Sequence, residues 1–162
     1  MKKFKLYLDT SVISHLDQQD APDKMAETRL LWDKIKAGVY DVVISDVDIR
    51  ELNKCEEKKR TTLYQYLDEI TYIKVDTSDR ADEIAERLVD LGILKQTNFA
   101  DCRHIANAIV TGCDAIVSWN FKHIVNMKTQ NGVKAIALLE GYDDLLVVTP
   151  SFLIGGDEDD TL

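Results

Sequence analysis

Carboxylates and one amide stand where apolar runs of this chain stop, and these are its candidates for chemistry. Asp9 ends the run that contains Phe4, Leu6 and Leu8. Asp46, Asp48 and Glu51 follow Val42-Val43-Ile44, and spacing does not choose among the three. Asp101 lies at the start of a long apolar stripe, and Asn120 follows Ala115-Ile116-Val117. Carboxylates brought together repel one another, and loss of water adds to the cost, so without a counter-charge their pKa values rise. A divalent cation removes that penalty. Oxygen donors with no Cys or His cluster suit a hard ion, Mg²⁺ or Mn²⁺. Such an ion activates water, and a pair can stabilise the attacking and leaving oxygens of a phosphodiester.

Each residue also has an ordinary structural use. Asp9 suits a turn or a cap, and Thr10 or Ser11 can cap a helix starting near Val12. Asp101 suits the first turn of its helix, where the dipole is worth about 0.3–1 kcal/mol to an acid. His104, three residues on, reads as a supporting or surface histidine. Lys54, Lys58, Lys59 and Arg60 read as a solvated basic face. Asp79, Asp82 and Glu83 read as acids gathered at a helix start. The joint placement of acids at element ends, rather than any one residue, points to a site.

The elements that must position these groups follow from periodicity. Short strands are expected over residues 4–8, 40–45, 72–75, 115–118 and 145–149. Helices are expected over 24–37, after Ser45 or Asp46, over 63–70, after Ser78, over 99–112 and over 133–139, with Gly38 and Gly141 as stops. Asp48, Glu51 and Cys55 share one helical face by spacing. Alternating strands and helices joined by right-handed crossovers give an α/β fold: three-layer α/β/α with a five-stranded parallel sheet in the order 3-2-1-4-5. All strand tips then lie along one edge, where such folds place ligands, and the acids converge there.

The chain has 162 residues, 45% of them hydrophobic, and a net charge of -9. That suits one domain with a core, expected over residues 1–153, followed by an acidic disordered tail over 154–162. No stretch reaches the apolar length of a membrane span, and Asp9 interrupts the N-terminal run too early for a signal peptide. Cys55, Cys102 and Cys113, odd in number and without metal-ligand spacing, fit reduced thiols in a cytoplasmic protein. The acidity argues against a protein that coats nucleic acid with a basic surface. It leaves room for an enzyme that gathers acids at a cation.

Four blocks resemble the PIN-domain ribonucleases, and among them the VapC-type toxins: Leu8-Asp9-Thr10-Ser11-Val12, Glu51-Leu52, Asp101-Cys102-Arg103-His104-Ile105-Ala106-Asn107-Ala108, and Asp114-Ala115-Ile116-Val117-Ser118-Trp119-Asn120-Phe121-Lys122-His123-Ile124. Gly141-Tyr142 and Thr149-Pro150 also fit. The resemblance implies a PIN-like fold and metal-dependent endoribonuclease activity on single-stranded RNA. It implies metal ligands at Asp9 and Asp101, with Glu51 holding Mg²⁺ or Mn²⁺ directly or through water, and Ser11 beside the site. It is the resemblance that selects Glu51. Much of the family has an aspartate at the position of Asn120, so this chain brings one negative charge less, although the amide can donate to a phosphate. Lys54, Lys58, Arg103 and Lys122 are the candidates for a basic strip that binds substrate. The family also implies a homodimer and, for a toxin, an antitoxin partner.

Two other enzyme classes place an aspartate after strand one. A haloacid-dehalogenase-type phosphatase needs a second aspartate two residues later, where this chain has Ser11. A receiver domain needs an early acidic pair and a suitably placed lysine after a late strand, and the sequence shows no early pair and no lysine in that place. The remaining alternative is a catalytically weak or inactive PIN-like module that binds RNA or protein.

Overall fold

β1 (Phe4–Leu8) occupies the middle of the sheet because both of its faces are apolar. Leu6 and Leu8 point into one core and Tyr7 into the other, and none of the three is exposed. The structure, a computed structural model, describes residues 2–155. After β1 come α1 (Thr10–Ser14), a 3-10 turn, α2 (Pro22–Lys36), β2 (Tyr40–Ser45), α3 (Asp46–Leu52), α4 (Glu57–Asp68) and β3 (Ile73–Val75). The second half runs α5 (Asp79–Asp90), a second 3-10 turn, α6 (Phe99–Val110), β4 (Ala115–Val117), α7 (Met127–Leu139), β5 (Leu146–Val148) and α8 (Pro150–Ile154). All strand pairs are parallel and the order is β3-β2-β1-β4-β5. The fold is the expected three-layer α/β/α, PIN-like arrangement.

Alternation within the strands divides the core in two. Tyr7, Val43 and Ile116 face α5, α6 and α7, where Ile84, Leu88, Ile105 and Val133 meet them. Leu6, Leu8, Val42, Ile44 and Val117 face the opposite layer, which supplies Val12, Leu31, Trp32, Leu63 and Leu67. Each fully buried Leu, Ile or Val contributes about 1.5–3 kcal/mol relative to exposure, which fixes the register of the central strands.

Several boundaries move. α7 begins at Met127, six residues before the expected start, with Asn126 accepting from the Thr129 amide as its cap. α3 ends at Leu52, so Cys55 lies beyond the helix and Lys54 sits in the turn between two helices. α8 was not anticipated, since Pro150 reads as a strand stop; it serves instead as the first residue of a helix capped by Thr149, a position where proline is well tolerated. Ile154, assigned above to the tail, closes that helix, and residues 156–162 lie outside the described residues. Gly38 and Gly141 do stop their helices, with φ of +84° and +80° that other residues rarely adopt. Among the described residues, no helix is long and apolar enough to cross a membrane.

Candidate active site

Asp9 emerges from the end of β1 and caps α1. Its carboxylate accepts from the Val12 amide at 3.2 Å, from the Ser11 hydroxyl at 2.6 Å and from the Ser118 hydroxyl at 2.5 Å. The capping and site readings of Asp9 are thus one geometry. The residue is only 3% exposed. Burial raises its pKa, against the pull of His104 and of the three donors. Ser11 has no proton left for a substrate: it gives its own to Asp9 and accepts from the Trp119 amide at 2.9 Å. Its place beside the site is that of a group that orients Asp9.

The three acids after β2 separate in space. Asp46 accepts from the amide and hydroxyl of Thr77, pinning the connection after β3. Burial opposes its charge, but those bonds win and hold its carboxyl below the usual range. Asp48 is fully buried and completes a capping box with Ser45 at the start of α3. Burial pushes its carboxyl up to about 7 despite the nearby His104. Glu51 faces the site, accepting from Thr10 Oγ1 at 2.8 Å and from His104 Nε2 at 2.7 Å. Burial disfavours its charge, yet these bonds and the charges of His104 and Lys54 leave its pKa lowered.

His104 is the residue that sequence reasoning undervalued. It is 2% exposed, and its Nδ1 lies 2.7 Å from the Tyr7 hydroxyl, itself 2.6 Å from the hydroxyl of Ser45. Burial favours the neutral ring, but Asp48, Glu51 and Asp9 outweigh it and raise the imidazole to about 9. A protonated ring then donates from Nδ1 to Tyr7 and from Nε2 to Glu51. Asp9, Asp48, Glu51 and Asp101 all feel this one charge. By distance the imidazole stands against Glu51, at 2.7 Å, and Asp48, at 3.9 Å. The signal for it was its spacing from Asp101 on α6; of its partners, Asp48 stood as one of three acids that spacing could not separate, and Tyr7 carried no signal.

Asp101 stands in the first turn of α6 with its side chain 22% exposed, bonded to His123 Nδ1 at 3.0 Å. Burial raises its pKa, opposed by His104 and His123 and reinforced by Glu51. Asn120 lies in the turn after β4. Its Oδ1 accepts from the His123 amide at 2.9 Å, and its own amide donates to Ser118 Oγ. Asn120 thereby sets the turn that delivers His123 to Asp101.

The four candidate cations are placed differently. Lys54 is close enough to Glu51 to lower its pKa, and Lys122 is exposed on the turn after Asn120. Lys58 lies on α4 beside Glu56 and Glu57. Arg103 is occupied: its Nε donates to Asp82 at 2.9 Å and its guanidinium stacks 4.8 Å from the Phe99 centroid.

A hard cation suits this chemistry. Asp9 and Asp101 are carboxylates whose charge is disfavoured by burial, and the groups bonded to Asp9 are all uncharged. Glu51 is turned to Thr10 and His104. Among the described residues, no three of His, Cys, Asp or Glu stand together so that they could hold a metal ion, so the pair Asp9 and Asp101 is the donor set a cation would have to use.

No family model and no curated protein matches the chain. Among solved structures, that of VapBC2 from Rickettsia felis bound to a DNA fragment from their promoter is similar, with a TM-score of 0.55 and 15% identity over 90% of this chain and 98% of that chain. A likeness at that identity carries the fold, which is PIN-like, and leaves the chemistry to the residues.

Proposed function

We propose that the protein is a Mg²⁺- or Mn²⁺-dependent endoribonuclease that hydrolyses single-stranded RNA. The observation that supports this reading best is the placement of buried Asp9 at the end of β1, Glu51 on α3 bonded to His104 at 2.7 Å, and Asp101 in the first turn of α6, the helix that carries His104. Asp9 and Asp101 would hold the cation, and Glu51 would reach it through water. Bound there, the cation supplies Lewis acidity at the scissile phosphate and lowers the pKa of water.

The chain's own groups do the rest. Ser11, Ser118 and the Val12 amide fix Asp9 in one orientation, and His123 does so for Asp101. Glu51 stays ionised at neutral pH and can accept a hydrogen bond from the attacking water while His104 and Thr10 hold its other oxygen contacts. The NH₂ of Asn120 is the donor left to a phosphate oxygen, since its Oδ1 serves the turn. Lys54 and Lys122 would draw the RNA backbone to an otherwise acidic molecule.

The similarity to VapBC2 and the VapC-like blocks support a toxin paired with an antitoxin, and the family resemblance adds a homodimer in the cytoplasm to this reading. The neutral Asn120 favours a second reading, a weakly active module that binds RNA. One assay separates them: purified protein with labelled RNAs, in Mg²⁺, Mn²⁺ or chelator. Cleavage requires metal and falls about a hundredfold in Asp9→Asn, a loss on the scale of removing one electrostatic group from a site. Cleavage in chelator, or an unimpaired Asp9→Asn, overturns the mechanism. Binding without cleavage of any RNA favours the second reading.

A further inference from the structure

Next to the acids lies a groove of about 980 Å³, walled by the connection between α5 and α6 on one side and the segment after β4 on the other. Lys95, Lys122 and Lys128 line it, as does His123, whose Nδ1 is bonded to Asp101. Among the described residues no Asp or Glu lines it, in a chain with 29 acidic residues against 20 Lys and Arg. Phe121, 50% exposed, belongs to the same wall, and Lys24 Nζ sits 5.4 Å from its ring centroid. The groove is thus a positive channel in a negative molecule, and one residue of its wall, His123, is bonded to a proposed metal ligand, Asp101.

We propose that this groove carries the single-stranded RNA that leads into the acid cluster, with Lys95, Lys122 and Lys128 against its phosphates and Phe121 beneath a base. The assignment rests on the nuclease reading and states where its substrate lies. Charge alone would also suit an acidic peptide. Two features favour the nucleic acid: His123 on the groove's wall is bonded to Asp101, and a half-exposed aromatic ring stands among the cations, a combination that binds single strands without regard to sequence.

The test is fluorescence anisotropy with a labelled RNA decamer in EDTA, where binding is read without cleavage. The triple variant K95Q/K122Q/K128Q is compared with wild type and with K2Q/K3Q/K36Q, which removes the same charge elsewhere. Each phosphate contact on a single strand contributes about 0.7 to the slope of log affinity against log salt, so the groove variant should lose about 2 units of slope and about tenfold in affinity at low salt. The control should change less than about twofold. Phe121→Ala should weaken binding severalfold and leave the slope unchanged, because stacking releases no counterions.

A groove variant that binds RNA as tightly as wild type, with the same slope, overturns the assignment; if wild type then still cleaves and Asp9→Asn does not, the nuclease reading survives alone. Lysine-dependent binding in a protein that cleaves nothing supports the groove and defeats the nuclease reading. No RNA binding by wild type, with lysine-dependent binding of an oligoglutamate peptide, overturns the proposal in favour of an acidic protein partner.

Discussion

The two walls of the site are built by opposite means. On the wall made by β1, α3 and α6, Tyr7, Ser45, Asp48 and His104 are sealed from water and bonded in a continuous chain that ends on Glu51. On the wall made by the turn after β4, Asn120 and His123 reach solvent, and each side chain makes a single hydrogen bond. The sealed wall stores charge: a buried carboxylate and a buried imidazolium compensate each other and set the state of Glu51. The open wall stores little and is free to meet a substrate. Damage to the first should therefore appear in stability, and damage to the second in binding.

His104→Ala should have the largest effect on stability. It leaves Asp48 and Glu51 without the imidazolium and removes one of the two partners of the Tyr7 hydroxyl, Ser45 remaining. Breaking a buried pair from one side costs about 3–5 kcal/mol, and because Asp48 can take up a proton near neutral pH the loss should fall at the lower end, about 3 kcal/mol. Urea denaturation measures it. His104→Ala/Asp48→Asn should be less destabilised than His104→Ala alone; additive losses would show that the two side chains do not interact.

The pH dependence has the same origin. His104 titrates at about 9 when folded, above its ordinary value near 6.5. A raised pKa means that the folded protein holds a proton that the unfolded chain releases. The stabilisation is complete below about pH 6.5 and is lost as pH rises through about 9. The midpoint of thermal unfolding of the metal-free protein should fall across that window. His104→Gln should flatten the curve there, and an unchanged curve would remove the imidazolium from the account.

On the open wall, Asn120→Asp restores a formal charge without breaking the turn, because a carboxylate oxygen can accept from the His123 amide as the amide oxygen does. Mn²⁺ should bind a few-fold tighter by calorimetry, in keeping with one added charge near a cation at high effective dielectric. An identical isotherm would place Asn120 away from the metal. The smallest effect belongs to Arg103→Ala. The guanidinium is committed to Asp82 and Phe99, so cleavage should change less than about twofold, with at most about 1 kcal/mol of stability lost from a partly exposed pair.

The same division decides what the sequence could reveal. Val42-Val43-Ile44 and Ala115-Ile116-Val117 declare buried parallel strands, and the stripe of Ile105, Ala106 and Ile109 declares the helix that covers them, so strand order follows from crossover geometry. Asp9 and Asp101 were legible because a strand tip and a helix start have fixed places in such a sheet. Asp48, His104 and Tyr7 were not. Tyr7 looks like the polar member of an alternating strand until α6 is laid over it, and Asp48 looks like one of three interchangeable acids until burial separates it from Asp46 and Glu51. Arg103 was one candidate for the basic strip; its bond to Asp82 on the adjacent helix could not be read from the sequence. Lys95 and Lys128 carried no signal because their groove is walled by segments far apart in the chain.

The measurement that tests the central claim most directly is a crystal structure of the protein soaked in Mn²⁺, read by anomalous scattering. The account predicts a peak between the carboxylates of Asp9 and Asp101, with Glu51 reaching it through water and His104 still bonded to Glu51. A well-ordered crystal at saturating Mn²⁺ with no peak at that pair, or with its peak at another group of acids, would contradict it.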